Sequence, residues 1–200
     1  MDSGIQIIEK PDWVSWDDIS SVLEASHQVN LKDGIRMALH THSSDYLREK
    51  VEGNGKMFVA LDGEKLVGTA AVIKKRFKFW FDKEAKDYAY ICLASVLPEY
   101  SHHGIFRALD AKREDEALNM GLDVMIGDTH ESHKRRLVAA KKSGYVPIDF
   151  LVWKDHYNVV IAKWLGKPRA SLLKCRIVFG FRKFFKKLRY KPGPVKRFGI

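Results

Sequence analysis

Val96-Leu97-Pro98-Glu99-Tyr100-Ser101-His102-His103-Gly104-Ile105-Phe106-Arg107-Ala108-Leu109 reads as a junction built to hold an anion. The apolar run Tyr88 to Val96 predicts a buried strand, and a helix is expected from near Gly104 to about Met120. A strand that passes through a short loop into a helix start leaves the first-turn N–H groups without partners in the helix. The helix dipole adds partial positive charge at the same place, so a phosphate or diphosphate is the natural ligand. Gly104 lacks a Cβ, which lets such a group come close to the backbone. Ser101, His102, His103, Ile105, Phe106 and Arg107 complete the loop. An ordinary strand–loop–helix connection carrying a surface His pair has the same composition.

Acid–base candidates lie further along. Asp128 and His130 follow the short apolar strand Asp123 to Ile126. An imidazole titrates near neutrality, so His130 could take a proton directly or through water. A cap or turn role for Asp128 and a surface-loop role for His130 are the plainer readings. Glu99, at the loop start, is expected to face solvent. His40-Thr41-His42 and His130-Glu131-Ser132-His133 each bring two ligand types together, but no Cys or third spaced acid completes a metal set. No metal is expected. Lys74-Lys75-Arg76-Phe77-Lys78-Phe79-Trp80-Phe81 could stack on nucleic acid, or could extend a hairpin with one face buried. The hairpin is favoured.

These residues need elements to position them. Ile5 to Ile8 reads as a strand. Trp13 to Gln28 reads as a helix with Ser15 able to cap it and Asp17 and Asp18 in its first turn. Ile35 to Leu39 and Asp45 to Val51 are shorter helical pieces, the second capped by Ser43 or Ser44. Lys56 to Leu61, the Asp62-Gly63 turn and Lys65 to Ile73 form a hairpin. Lys74 to Lys86 reads as a connection. After the helix from Gly104 come the strand Asp123 to Ile126 and a helix Ser132 to Lys142 stopped by Gly144. Two strands, Tyr145 to Trp153 and Asn158 to Trp164, close the series.

Charge divides the chain sharply. Residues 166–200 hold twelve Lys/Arg and no Asp or Glu, leaving 23 basic against 25 acidic residues in 1–165. The net charge of +10 therefore belongs to one C-terminal segment. Residues 1–165 are expected to form one domain and 166–200 an extension. Cys92 and Cys175, the two cysteines, lie far apart and suit a reducing, cytoplasmic setting without disulfides. No secretory h-region follows Met1, and no apolar run is long enough to span a bilayer. Leu173, Ile177, Phe181, Phe184, Phe185 and Leu188 fall on one helical stripe within Ala170 to Arg189, among basic residues. Such a helix fits the inner face of an anionic membrane, the chain's own sheet, or a second copy in a homodimer. Nucleic acid is a weaker match. Pro192-Gly193-Pro194 ends any helix.

The loop resembles the acetyl-CoA diphosphate loop of the GCN5-related N-acetyltransferases, Arg/Gln-x-x-Gly-x-Gly/Ala after a Val-x-Pro strand end. Val96-x-Pro98, Gly104 and the Ala108-Leu109 helix match it, while Ser101 replaces Arg/Gln and Phe106 replaces Gly/Ala. His102, His103 or Arg107 is left to supply the missing side-chain donor. The element order and Ser143-Gly144-Tyr145, similar to the family's Gly-Phe pair, extend the resemblance over roughly residues 5 to 164. It implies an α/β (α+β) fold: a mixed central sheet with a splayed parallel strand pair, flanked by helices. It implies acetyl-CoA as co-substrate, a primary amine on a small or surface-linked acceptor, and direct attack. By position, backbone N–H groups at Ala94, Ser95 and Val96 would serve as oxyanion donors, and His133 would stand for the family's helix-starting Asn. The family's acid Tyr falls on Ala140 and is missing. A catalytically degenerate scaffold and a membrane-surface adaptor working through the tail are the alternatives.

Overall fold

The computed structural model describes residues 4–32, 43–152 and 157–189. The expected helix Ile35 to Leu39, the pair His40 and His42, and Trp153 lie outside the described residues. The chain forms two compact units, residues 1–125 and 126–200. Its elements have the α/β composition expected from the sequence.

In the first unit, β1 (Ile5–Glu9), β2 (Gly55–Asp62), β3 (Lys65–Phe77) and β4 (Lys86–Val96) run in that order, antiparallel at each step. Strand residues alternate between faces. Met57, Val59 and Leu61 of β2, with Ala71, Ile73 and Leu93, bury one face against α1 (Trp16–Lys32) and α2 (Ser44–Val51). Ile19, Leu23, Leu47 and Val51 are the helical partners. Each such side chain, fully buried, contributes about 1.5–3 kcal/mol. Against β3 packs α3 (Ile105–Asn119), which buries Ile105, Leu109 and Ala117. Gly68 of β3 makes room for it: a Cβ there would stand 3.4 Å from Ile105 Cγ2 and 3.2 Å from Ser95 O.

Ser15 is a cap, which starts α1 at Trp16 instead of Trp13. Its Oγ accepts from the Asp18 N–H (3.0 Å), while Asp18 Oδ2 accepts from the Ser15 N–H (3.0 Å) and hydroxyl (2.7 Å). Ser43 caps α2 through the Tyr46 N–H. Of the expected connection Lys74 to Lys86, only Lys78 to Ala85 lie between the strands. Lys74 to Phe77 continue β3 opposite Ala89 to Lys86. Phe77, Phe79 and Phe81 stack in series at 5.7 Å, and Tyr88 meets Phe79 edge-on. Those rings are engaged with one another.

The second unit contains β5 (Val124–His130, beginning at the unit boundary), β7 (Tyr157–Trp164) and β6 (Val146–Val152), in the order β5-β7-β6. β5 runs four residues past the expected end at Ile126. Glu131 N–H donates to Tyr157 O (2.9 Å) just beyond it, so pairing outweighs the polar Gly-Asp-Thr-His sequence. Pro147 sits on edge strand β6 beside a bulge, where its missing N–H is tolerated. α4 (Lys134–Lys142) ends at Gly144, whose φ of +88° lets Tyr145 N–H reach back to Ala140 O (2.9 Å).

α5 (Leu172–Arg189) begins with Ser171, whose Oγ accepts from the Lys174 N–H. It packs on β6: Phe179 stacks on Phe150 at 4.5 Å, Cys175 is buried, and Arg182 pairs with Asp149. The stripe Leu173, Ile177, Phe181 and Phe184 does not pack on the sheet and is exposed.

Candidate active site

Two features shape the end of β4. The register with β3 passes from Ala71↔Cys92 to Thr69↔Ser95, so Leu93 and Ala94 oppose the single residue Ala70. Leu93 sits at φ +51°, a conformation that non-glycine residues rarely hold. Its carbonyl is fixed by the buried Thr69, whose Oγ1 donates to it at 3.0 Å. A bulge of this kind leaves backbone groups outside the ladder and re-aims the strand beyond it. Ala94 is the second bulge residue, and Ser95 and Val96 follow directly.

Leu97 N–H then donates to Val67 O (2.9 Å), and Pro98 to Tyr100 make a single 3-10 turn. Tyr100 is pinned by its hydroxyl, which donates to Asp62 Oδ2 at 2.8 Å, and by Lys65 over its ring. The hydrogen bond to the Asp62 carboxylate holds the Tyr100 phenol above its ordinary pKa. Glu99 pairs with Lys65 in the open (3.4 Å).

His102 (φ +72°) and Gly104 (φ +76°) are both left-handed, and these two residues turn the chain into α3. The helix ladder opens with Ala108 N–H donating to Gly104 O (3.1 Å). The amides ahead of it point back along the axis to the loop, at the positive end of the helix. Space above Gly104 is open: a Cβ would meet nothing within 4 Å. Ser101, His102, His103 and Arg107 are exposed around it, whereas Ile105 is a core residue.

Phe106 is half-buried and turns toward its own helix. Arg113, two turns on, lies with its guanidinium 5.7 Å from the Phe106 ring centre. Arg113 is fully buried, pairs with Asp110 at 2.6 Å, and among the described residues finds no hydrogen-bond partner for its Nε and Nη1. The bulky residue in place of glycine or alanine is accommodated on the helix side. No sequence signal pointed to Arg113, because a charged residue on a helix is normally a surface residue.

In the second unit, Asp128 and His130 are strand residues of β5, two apart and therefore on one face. Neither is the loop residue expected. Asn158 of β7 donates to Asp128 Oδ2 (2.5 Å). His130 is buried and its Nδ1 accepts from the Ser132 N–H (3.1 Å), which assigns its ring proton to Nε2. His133 caps α4 by position, without a side-chain cap bond, and its N–H donates to His130 O (3.0 Å). Ala140, where the family has its acid, is buried. Among the described residues no three metal-ligating side chains converge.

Residues 16–145 match the family model described as Acetyltransferase (GNAT) family. No curated protein matches the chain. Solved structures do. An acetyltransferase from Streptococcus agalactiae superposes with a TM-score of 0.62 at 18% identity, covering 81% of this chain and 99% of its own. The PaiA N-acetyltransferase of Thermoplasma acidophilum, in complex with coenzyme A, gives 0.59 at 16%, covering 80% and 98%. An acetyltransferase from Salmonella typhimurium with its cofactor acetyl-CoA gives 0.58 at 15%, covering 84% and 97%.

Proposed function

Because this chain belongs to the GNAT family of acetyltransferases, we propose that it transfers an acetyl group from acetyl-CoA to a primary amine on a small or surface-linked acceptor. The observation that carries the reading is the turn at His102–Gly104. Two left-handed residues deliver an α-helix start, with open space at the glycine, one 3-10 turn after a bulged strand. That arrangement suits a diphosphate, and Phe106 is turned onto Arg113 instead of filling it. Relatives of the same fold bind coenzyme A and acetyl-CoA, which supports that choice of anion.

In this reading the amides of His103 to Ile105 hold the diphosphate. Exposed His102, His103 and Arg107 supply the donors that Ser101 lacks. Acetyl-CoA contributes an activated thioester. The acceptor nitrogen attacks its carbonyl, the C–S bond breaks, and the acetyl group ends on nitrogen while CoA leaves as the thiol. A backbone N–H near Ala94 to Val96, re-aimed by the bulge, faces the charge that grows on the carbonyl oxygen. The attacking nitrogen sheds a proton, for which Asp128 and His130 are the acceptors. His130 can take it on Nδ1 only by giving up the Ser132 N–H. With Ala140 in place of the tyrosine, the leaving thiolate takes its proton from water.

Incubating the full chain with acetyl-CoA and a panel of primary amines, and following free thiol, tests the assignment. Amine-dependent thiol release that Asp128→Asn reduces at least tenfold supports it. CoA binding with no release for any amine would make the chain a scaffold and overturn the transfer reading.

A further inference from the structure

We propose that the outward face of α5 docks onto an anionic lipid surface. The inference concerns a different surface from the transfer site and does not depend on it. α5 has two apolar faces. One is spent on β6, through Cys175, Phe179 and the Arg182–Asp149 pair. The other holds Leu173, Ile177, Phe181 and Phe184, which are 68%, 50%, 62% and 61% exposed. Their spacing of four, four and three residues makes a single stripe, half a turn away from 175, 179 and 182. Four large apolar side chains in a row on a helix already seated by its opposite face mark an interaction surface.

Charge selects the partner. Lys174 and Arg176 are exposed on the two flanks of the stripe, and residues 166–200 contain twelve basic residues and no acidic one. An anionic lipid surface supplies apolar interior for the stripe and negative headgroups for its flanks at the same time. RNA would match the charge but leave Leu173 and Ile177 uncovered. A second copy packed on the same stripe would bring like charges together. Among the described residues no helix is long and apolar enough to cross a membrane, so the contact is with the surface.

Co-sedimentation of the full chain with vesicles tests this directly. One set is phosphatidylcholine alone, the other phosphatidylcholine mixed with phosphatidylglycerol. The proposal expects binding to the mixed vesicles at least about tenfold above the neutral ones, weakening as salt rises. Phe181→Ser with Phe184→Ser should lower that binding at least tenfold. Lys174→Gln with Arg176→Gln should lower it about thirtyfold, from two headgroup attractions of the usual size. Unchanged thermal unfolding shows that both variants fold. Equal or absent binding to the two vesicle types overturns the proposal. So does a dimer in light scattering that the Phe variants dissolve, which would make a second copy the occupant. Retention on RNA above the mixed vesicles, indifferent to the Phe variants, would equally overturn it.

Discussion

Thr69 holds the carbonyl of a residue that is itself strained, just before the strand end proposed to face the thioester. Leu93 at φ +51° costs of order 1–3 kcal/mol and persists because its surroundings fix it. Thr69→Val keeps the shape and removes the donor at 3.0 Å, leaving a buried carbonyl unsatisfied. The expected loss is about 1–3 kcal/mol in chemical denaturation, with a fall in acetyl transfer, and Thr69→Ser should restore both. Arg113 offers a sharper contrast. With Asp110 it forms a buried ion pair, and two of its nitrogens lack partners among the described residues. Arg113→Met alone removes the buried cation that pairs with the Asp110 carboxylate and should cost about 3–5 kcal/mol. Asp110→Leu with Arg113→Met should recover most of that in the same denaturation experiment, because desolvation of both charges is then avoided.

Among the elements, α1 joins its cap to a titratable group. His27 is half-buried there, and burial holds its imidazole below the ordinary 6.5. Its protons therefore bind the unfolded chain first as pH falls. Stability should decline as pH drops below about 6.5 and level off once pH passes the lowered folded value. Denaturation midpoints for His27→Gln should lack that part of the slope; identical slopes would contradict the assignment. Elements with local signals were legible in the sequence. The Ser15 and Ser43 caps, the β2–β3 hairpin and the Gly144 stop each depend on residues within a few positions of one another. What escaped depends on distant partners. Gly127 to His130 look like loop until β7 pairs beside them, and Lys74 to Phe77 look like a connection until Lys86 to Ala89 face them. The Leu93 bulge has no sequence signal, since the Thr69 that holds its carbonyl lies 24 residues away. Gly104 was legible because only a glycine signature marks a turn of that kind, yet His102 at φ +72° carries none.

For the molecule as a whole, the family match and the basic charge fall on different segments. Residues 16–145 carry the acetyltransferase signature, and residues 166–200 carry the basic charge of the chain. The central claim is that the start of α3 holds a diphosphate. Calorimetric titration of the full chain with CoA, beside Gly104→Ala and Gly104→Trp, examines it most directly. Both variants carry the same strain at φ +76°, about 1–2 kcal/mol, but only tryptophan fills the open space above the turn. The account predicts that the wild-type chain binds CoA, that Gly104→Ala binds within about tenfold of it, and that Gly104→Trp loses binding while still folded. CoA binding by Gly104→Trp as tight as by Gly104→Ala, or no binding by the wild-type chain, would contradict it.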